Sequence, residues 1–212
     1  MYLPSHFVET RYDVIRELIR DHPLATLVTL GPQGLDANHI PLELDPDPAP
    51  HGTLRGHVAR ANPVWRDFRA EVDALAIFQG PSAYVSPSWY PSKASTGKVV
   101  PTYNYLVVHA YAPLRIIHDE AWLRALVERL TNRFEAENPK RWHVSDAPPQ
   151  FIDTMLRAIV GIELPVAKIQ AKWKASQNRP EADRMGVAQS LRQLDDADAQ
   201  AMAGWVERSS KS

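Results

Sequence analysis

One stretch, residues 54–63, combines basic side chains with a glycine and the predicted start of a helix. It carries Arg55, His57 and Arg60. Asn62 followed by Pro63 is typical of a helix N-terminus, with Asn at the cap and Pro at the first helical position. Free N–H groups and the dipole at such a terminus favour an anion. The stretch therefore predicts a phosphate site; the alternative is a capped surface helix with an ion-paired arginine.

A second stretch, residues 84–111, combines aromatic rings with lysines. Trp89, Tyr90, Tyr103 and Tyr105 offer flat surfaces for a planar ring. Lys93 and Lys98 could meet a phosphate or an anionic substrate. Interior prolines exclude one long helix. We predict a shaped loop that leads into a strand and lines a pocket; the alternative is a stiff loop that covers the core or a dimer interface.

A third stretch, residues 172–179, ends a predicted strand with lysines, Ser176, Gln177, Asn178 and Arg179. Such a strand end could close over a ligand, although a solvated connector to the tail has the same composition.

Familiar catalytic and metal-binding patterns are missing from the sequence. The eight histidines are scattered, without a His-Glu-x-x-His pattern, so we predict no metal site and interpret His39, His57 and His109 as packing or hydrogen-bonding residues. No Gly-x-Ser-x-Gly, P-loop or Gly-x-Gly-x-x-Gly pattern occurs, which argues against a serine hydrolase, a P-loop NTPase and a Rossmann oxidoreductase. No catalytic residue can be assigned from these patterns.

The composition favours a cytoplasmic globular protein. The chain has 212 residues, 44% hydrophobic, a formal net charge of −1 and no cysteine. The charge gives no global attraction to nucleic acid or an anionic membrane. Without cysteine, disulfides, thiolate catalysis and Cys-ligated zinc are excluded. No segment approaches the roughly 20 apolar residues of a membrane span.

Hydrophobic periodicity predicts the elements that position these residues. Predicted helices cover residues 9–21, 62–68, 119–138, 148–158, 180–194 and 196–207, with Asp119 as the cap of the third and Asp146 as the cap of the fourth. Predicted strands cover residues 24–30, 35–44, 53–58, 72–79, 105–117, 160–164 and 169–173, and Pro113 indicates a bend in the strand 105–117. Short connections between strands favour antiparallel pairing, so we predict an α+β fold with a small barrel of about six strands, flanking helices and a C-terminal helical tail.

Six motifs, in order along nearly the whole chain, resemble the PaiB family. They lie at residues 1–7, 38–41, 56–63, 86–90, 100–105 and 174–179. Where the family usually has Pro-Thr-Trp-Asn-Tyr, this chain has Pro-Thr-Tyr-Asn-Tyr at residues 101–105, which keeps the aromatic ring.

The resemblance implies an FMN-binding split barrel, of the kind found in pyridoxamine-phosphate oxidases and flavin reductases. It also implies a homodimer with two flavin sites between the subunits. By the same resemblance, residues 38–40 would lie along the isoalloxazine ring, and His57 and Arg60 would meet the phosphate. His57 departs from the superfamily pattern, because histidine is a poorer phosphate partner than lysine at neutral pH, and this lowers the expected flavin occupancy.

From the stretches and the resemblance together we predict a set of cofactor-binding residues. They are Asn38, His39, Ile40, Arg55, His57, Arg60, Asn62, Lys93, Tyr103, Asn104 and Gln177. The predicted domain covers residues 1–178, with a helical insertion at about 119–158, and the tail covers residues 179–212.

Three functions remain open from the sequence. The family is described as negative transcriptional regulators, linked to protease synthesis and sporulation. An FMN-dependent oxidoreductase acting on a small substrate, with Lys93, Tyr103 and Asn104 facing that substrate, is the first alternative. A cofactor-free dimeric interaction protein is the second. Three aspartates, Asp195, Asp196 and Asp198, open the last helix and argue against a conventional DNA-recognition helix, whose N-terminal residues approach phosphates.

Overall fold

The computed structural model describes residues 1–48 and 50–209. Its helices and strands confirm the α+β prediction. The strands are β1 (Leu24–Gly31), β2 (Gly34–Pro41), β3 (Glu43–Asp45), β4 (Thr53–Ala59), β5 (Ala74–Val85), β6 (Thr102–Ala112), β7 (Arg115–Ile117), β8 (Ile159–Pro165) and β9 (Lys168–Lys174). The helices are α1 (Tyr12–Asp21), α2 (Ser92–Thr96), α3 (Glu120–Phe134), α4 (Pro149–Arg157), α5 (Glu181–Arg192) and α6 (Ala197–Arg208).

The strands form two sheets, with the orders β2-β1-β5-β6-β9 and β3-β4-β8-β7. The β1–β2, β1–β5, β3–β4, β4–β8 and β7–β8 pairs are antiparallel. In the β4–β8 register Arg55 lies opposite Glu163. β2 ends its sheet, so one edge of this strand has no strand neighbour among the described residues.

The chain divides into two compact units. The first unit contains Met1–Leu18, Gln79–Val108 and the described residues from Gln170 onward; the second contains Ile19–Phe78 and His109–Ile169. Large buried side chains of the first unit include Ile15, Leu106 and Leu191. Those of the second unit include Leu27, Phe78, Leu54, Leu126 and Ile162.

Three predicted strand boundaries are wrong, each at a proline. The expected end of a strand at residue 79 is wrong, since β5 continues through Gly80 and Pro81 to Val85. β1 pairs only with residues 75–77 of β5, so the missing N–H of Pro81 removes no hydrogen bond to β1. The expected strand 35–44 divides after Pro41 into β2 and β3. The expected strand 105–117 divides at Pro113 into β6 and β7, which belong to different sheets.

Three predicted helix starts also differ. Asn62 caps as expected, since its Oδ1 accepts from Val64 N at 2.9 Å, but only a single 3₁₀ turn follows, Pro63–Trp65. α1 begins at Tyr12 rather than residue 9. Asp146 does not cap α4; its carboxylate accepts from His143 N at 2.9 Å. The expected cap of α3 is confirmed, because Asp119 Oδ1 accepts from Trp122 N at 2.7 Å.

Candidate functional site

Arg60 follows β4 in the second unit, and two of its guanidinium nitrogens donate to main-chain carbonyls. Its Nε donates to Arg157 O at 2.7 Å and its Nη2 to Ile159 O at 2.9 Å. Its main-chain N–H donates to Ala158 O at 2.8 Å, and its carbonyl accepts from Trp65 Nε1 at 3.0 Å. The side chain is exposed and forms no ion pair within the described part of the chain. Arg60 is thus a fixed cation whose charge is not compensated by a carboxylate.

A chain of side-chain amides links β2 to the turn after β4. Asn62 Nδ2 donates to Asn38 Oδ1 at 2.7 Å, and Asn38 Nδ2 donates to Asp36 Oδ2 at 2.9 Å. Ile40 lies on the same face of β2 as Asn38 and is buried, close to Gly56. His39 lies on the opposite face, where its Nδ1 is 3.2 Å from Thr26 Oγ1. The structure therefore brings Asn38 and Ile40 to one face and leaves His39 on the other.

Arg55 and His57 lie on β4 in different surroundings from Arg60. Arg55 forms ion pairs with Asp45 at 2.5 Å and with Glu163 at 3.2 Å, so its charge is already compensated. His57 lines a cavity of about 380 Å³ with Leu130, Phe134 and other α3 residues. Its Nδ1 is buried without a hydrogen-bond partner among residues 1–48 and 50–209. Burial lowers the pKa of His57, which favours the neutral ring.

Two of the predicted cofactor residues of the first unit lie at one turn. Asn104 is buried, and its Nδ2 donates to Ser176 Oγ at 2.9 Å. Ser176 has a positive φ of 63°, and Gln177 stabilises this turn, since its Oε1 accepts from Ala175 N at 2.7 Å and its Nε2 donates to Trp173 O. The Oδ1 of Asn104 has no partner in the described residues and is buried. Both amides therefore shape the turn that follows β9.

The other two predicted residues of the first unit are exposed and separate from this turn. Lys93 lies on α2, whose first residue, Ser92, is anchored by the buried carboxylate of Asp183. Tyr103 is 55% exposed and makes an edge-to-face contact with Tyr84, with ring centroids 6.2 Å apart. The carbonyl of Tyr103 accepts a bond from Lys174 Nζ at 2.5 Å. Burial lowers the pKa of Lys174, and the charges of Lys172 and Arg179 lower it further.

Two buried carboxylates of the first unit have structural roles that the sequence did not indicate. Asp183 on α5 is only 2% exposed, and the side chain of Glu9 is 8% exposed beside Arg11. Ser92, which donates to Asp183, lies 91 residues away in the sequence. The main-chain donors to Glu9 lie only one and two residues away, at Thr10 and Arg11. A Glu followed by backbone donors at the start of α1 is a local signal that could have been recognised; the Asp183 contact had no such signal.

The described residues contain neither a candidate metal site nor a helix able to span a membrane. Residues 1–48 and 50–209 contain no cluster of three or more His, Cys, Asp or Glu side chains placed to hold a metal ion. Within the same residues, every helix is too short or too polar to cross a bilayer.

Comparison with known families and proteins identifies related chains. A family model described as "Putative FMN-binding domain" matches residues 1–168. The protein named protease synthase and sporulation protein PAI 2, from Bacillus subtilis, is 35% identical over 212 residues, which cover 98% of this chain and 97% of that protein.

Solved structures share the fold at low sequence identity. The flavocytochrome Anf3 from Azotobacter vinelandii superposes with a TM-score of 0.61 at 12% identity, over 94% of this chain and 78% of that one. An FAD and heme binding protein from Mycobacterium smegmatis gives a TM-score of 0.56 at 16% identity, over 78% of this chain and 72% of that one. These likenesses, with the two sheets, agree with the split-barrel fold expected from the sequence.

Proposed function

The chain belongs to this FMN-binding family, with FMN as the cofactor, and on that premise we propose that Arg60 is its anchor for the flavin phosphate. The observation that carries the proposal is the fixed guanidinium without a carboxylate partner. Nη1 keeps its N–H donors, and a phosphate oxygen is a strong acceptor for a charged donor. When bound, FMN supplies the redox chemistry of its isoalloxazine ring.

The surrounding residues suit a phosphate site with a single cation. Asp45 and Glu163 compensate the charge of Arg55, and burial favours the neutral form of His57. Neither residue therefore adds a free positive charge beside Arg60. Asn62 and Asn38 would orient the polar edge of the flavin through their linked amides. The open edge of β2 would add main-chain donors and acceptors. One cation gives modest affinity, in line with the low occupancy expected from the sequence.

The same hydrogen bonds also cap α4, because Arg157 and its neighbours supply carbonyls that the helix leaves without partners. For an Arg60 variant, FMN affinity and the free energy of unfolding must therefore both be measured. We expect Arg60→Gln to weaken FMN binding about 10- to 100-fold, equivalent to about 1.4–2.7 kcal/mol, while unfolding in urea shifts by about 1 kcal/mol. Arg141→Gln is the matched control, since Arg141 is an exposed arginine of the same unit. Equal FMN affinity in the two variants would refute the anchor.

We propose further that the protein acts as a homodimer whose flavin sites lie between subunits. β2 supports this, because the strand has an open edge and its residues are mostly exposed. Leu35 is 80% exposed, which is costly for an apolar side chain left in water. Light scattering should give a dimer mass for the wild type and a monomer mass for Leu35→Lys. A monomeric wild type would refute the proposal.

The regulatory role is carried over from the resemblance to PaiB proteins and from the name of the Bacillus relative. We propose a flavin-dependent negative regulator that does not use α6 as a recognition helix. Asp196 caps α6 and Asp198 lies in its first turn, while Met202 and Val206 are buried. If α6 did contact DNA phosphates, Asp198→Asn would strengthen binding measured by fluorescence anisotropy at 50 mM salt, which would contradict this proposal.

A nucleotide oxidation assay distinguishes the proposed flavin-dependent regulator from an FMN-dependent oxidoreductase. FMN-loaded protein mixed with NADH or NADPH, in air, should show no more nucleotide oxidation than the same concentration of free FMN. Saturable oxidation well above that level would favour an FMN-dependent oxidoreductase.

A further inference from the structure

A cavity of about 570 Å³ is lined by residues of the first unit alone, whereas Arg60 belongs to the second unit. Its walls come from the residues just before and within α1, from the end of β9 and the turn after it, and from α5 and α6. The volume lies in the range of small-molecule sites, about 300–1,000 Å³. Most of the β9, α5 and α6 residues lie after residue 168, where the family match ends.

Two tryptophans form an aromatic wall of this cavity. Trp173 and Trp205 meet edge to face, with ring centroids 6.0 Å apart and an interplanar angle of 80°. Trp173 is 96% buried, since its exposure is 4%, and its indole Nε1 has no hydrogen-bond partner among the described residues. A buried N–H without a partner costs free energy, which a ligand acceptor would recover. The wall therefore suits a planar ring that carries a hydrogen-bond acceptor.

Two arginines supply positive charge to the same cavity. Arg184 on α5 is half-buried; its Nε is buried without a partner, and no ion pair forms to it within residues 1–48 and 50–209. The guanidinium of Arg208 stacks over Trp205, 4.0 Å from the ring centroid. The guanidinium fork matches a carboxylate in bidentate geometry. The same cavity thus offers a guanidinium without an ion-pair partner and an indole wall, which together suit an aromatic acid.

The carboxylates that line the cavity favour a ligand with one negative charge over a ligand with two. Glu9 and Glu17 also line the cavity, and Arg11 pairs with Glu9 at 2.7 Å. These carboxylates would repel a phosphate dianion more strongly than a single carboxylate. Gln177 adds an amide at the rim, although both of its side-chain groups already hold the turn after β9.

We propose that this cavity, the Trp173–Arg184 site, binds a small aromatic carboxylate. Its ring would lie against the two indoles, and its carboxylate would pair with Arg184 and accept from the Trp173 N–H. Arg208 would add a second positive charge at the exposed rim. The residues of this site are all in the first unit and the proposed flavin anchor is in the second, so this proposal does not rest on that anchor.

Isothermal titration with indole-3-acetate and benzoate tests the proposal on the full-length protein. We expect saturable binding of at least one acid, with benzamide, the neutral match of benzoate, binding at least about tenfold more weakly. Arg184→Gln should lower the acid's affinity at least about tenfold, and Arg184→Lys by less. Because Arg184 makes no ion pair within the described part of the chain, its replacement breaks none there. Arg192→Gln, on the same helix but outside the cavity, is the control and should bind as wild type.

Two further readouts distinguish this site from the flavin site and from nonspecific adsorption. Trp173→Phe keeps an aromatic side chain but removes the pyrrole ring with its N–H, so it should weaken binding of the acid several-fold without changing FMN affinity. FMN titration of Arg184→Gln should match wild type whether or not the flavin anchor at Arg60 is correct. No saturable heat from either acid up to about 10 mM, roughly tenfold above the upper end of usual KM values, would overturn the proposal. Equal affinity for benzamide, or equal affinity of Arg184→Gln for the acid, would each do the same.

Discussion

Asp183 links α5 to α2, and its removal gives a large and measurable loss of stability. Asp183 is 2% exposed, and it accepts from Ser92 N at 3.0 Å and from Ser92 Oγ at 2.7 Å. Hydrogen bonds to a charged group contribute about 1.5–3 kcal/mol each, which gives about 3–6 kcal/mol for the pair. Ser92 is only half-buried, so water can reach its donors after the change. We therefore expect Asp183→Ala to lower the free energy of unfolding by about 2–4 kcal/mol.

Urea unfolding followed by tryptophan fluorescence measures this loss directly. At roughly 2–4 °C per kcal/mol for a chain of this length, the thermal midpoint should fall by about 4–16 °C. Asp183→Asn keeps one acceptor oxygen and should lose less than Asp183→Ala. Asp195→Ala, at an exposed aspartate between α5 and α6, is the control and should change the free energy by less than about 0.5 kcal/mol. A loss below that value for Asp183→Ala would refute the reasoning.

Two further substitutions test other parts of the chain. Burial raises the pKa of Glu9, but hydrogen bonds from Arg11 and Thr10 outweigh it, and the folded pKa is lowered. A lowered pKa means that the stabilisation is full above the unfolded pKa and is lost as the pH falls through the folded value. Glu9→Gln should thus cost about 1–2 kcal/mol in urea at pH 7 and clearly less at pH 3; a pH-independent difference would contradict this. Gly161→Ala would place a methyl group 2.5 Å from the Trp122 ring and should cost about 1–3 kcal/mol. Gly204→Ala, whose methyl would make only an ordinary contact with Arg208 Nη2 at 3.9 Å, should be neutral or stabilising by thermal melting. Equal melting temperatures of the two variants would contradict the clash.

The helices and most strands could be predicted from the sequence because their signals are local. α3 shows an apolar stripe and an Asp119 cap, and both are found in the structure. β4 and β8 lie where strands were predicted, and their register places Arg55 against Glu163. The errors lie where a proline falls inside an extended run, since a proline does not say whether the chain ends a strand or moves to the other sheet. That choice depends on pairing partners distant in sequence.

The basic stretch around Arg60 could be recognised in the sequence, but the compensation of its charges could not. The sequence identified Arg55, His57 and Arg60 as one basic group. In the fold, Asp45 and Glu163 compensate Arg55, burial favours neutral His57, and only Arg60 keeps a free charge. These differences come from partners up to 108 residues away, which no local pattern reveals. The assignment of all predicted cofactor residues to the flavin remains a prediction.

Local sequence patterns reveal even less of the Trp173–Arg184 site. Its tryptophans and arginines lie on separate elements, and no spacing in the sequence connects them to the start of α1. Gln177 was predicted as a cofactor residue and lines this cavity, so its role is tested by the same titrations.

The affinity ratio between FMN and riboflavin tests the central claim most directly, because the two ligands differ only by the phosphate. Flavin fluorescence gives both dissociation constants on the same protein. We predict that the wild type binds FMN at least about tenfold more tightly than riboflavin, equivalent to about 1.4 kcal/mol, and that Arg60→Gln brings this ratio close to one with riboflavin affinity unchanged. The same ratio in wild type and Arg60→Gln would contradict the assignment of Arg60 as the phosphate anchor.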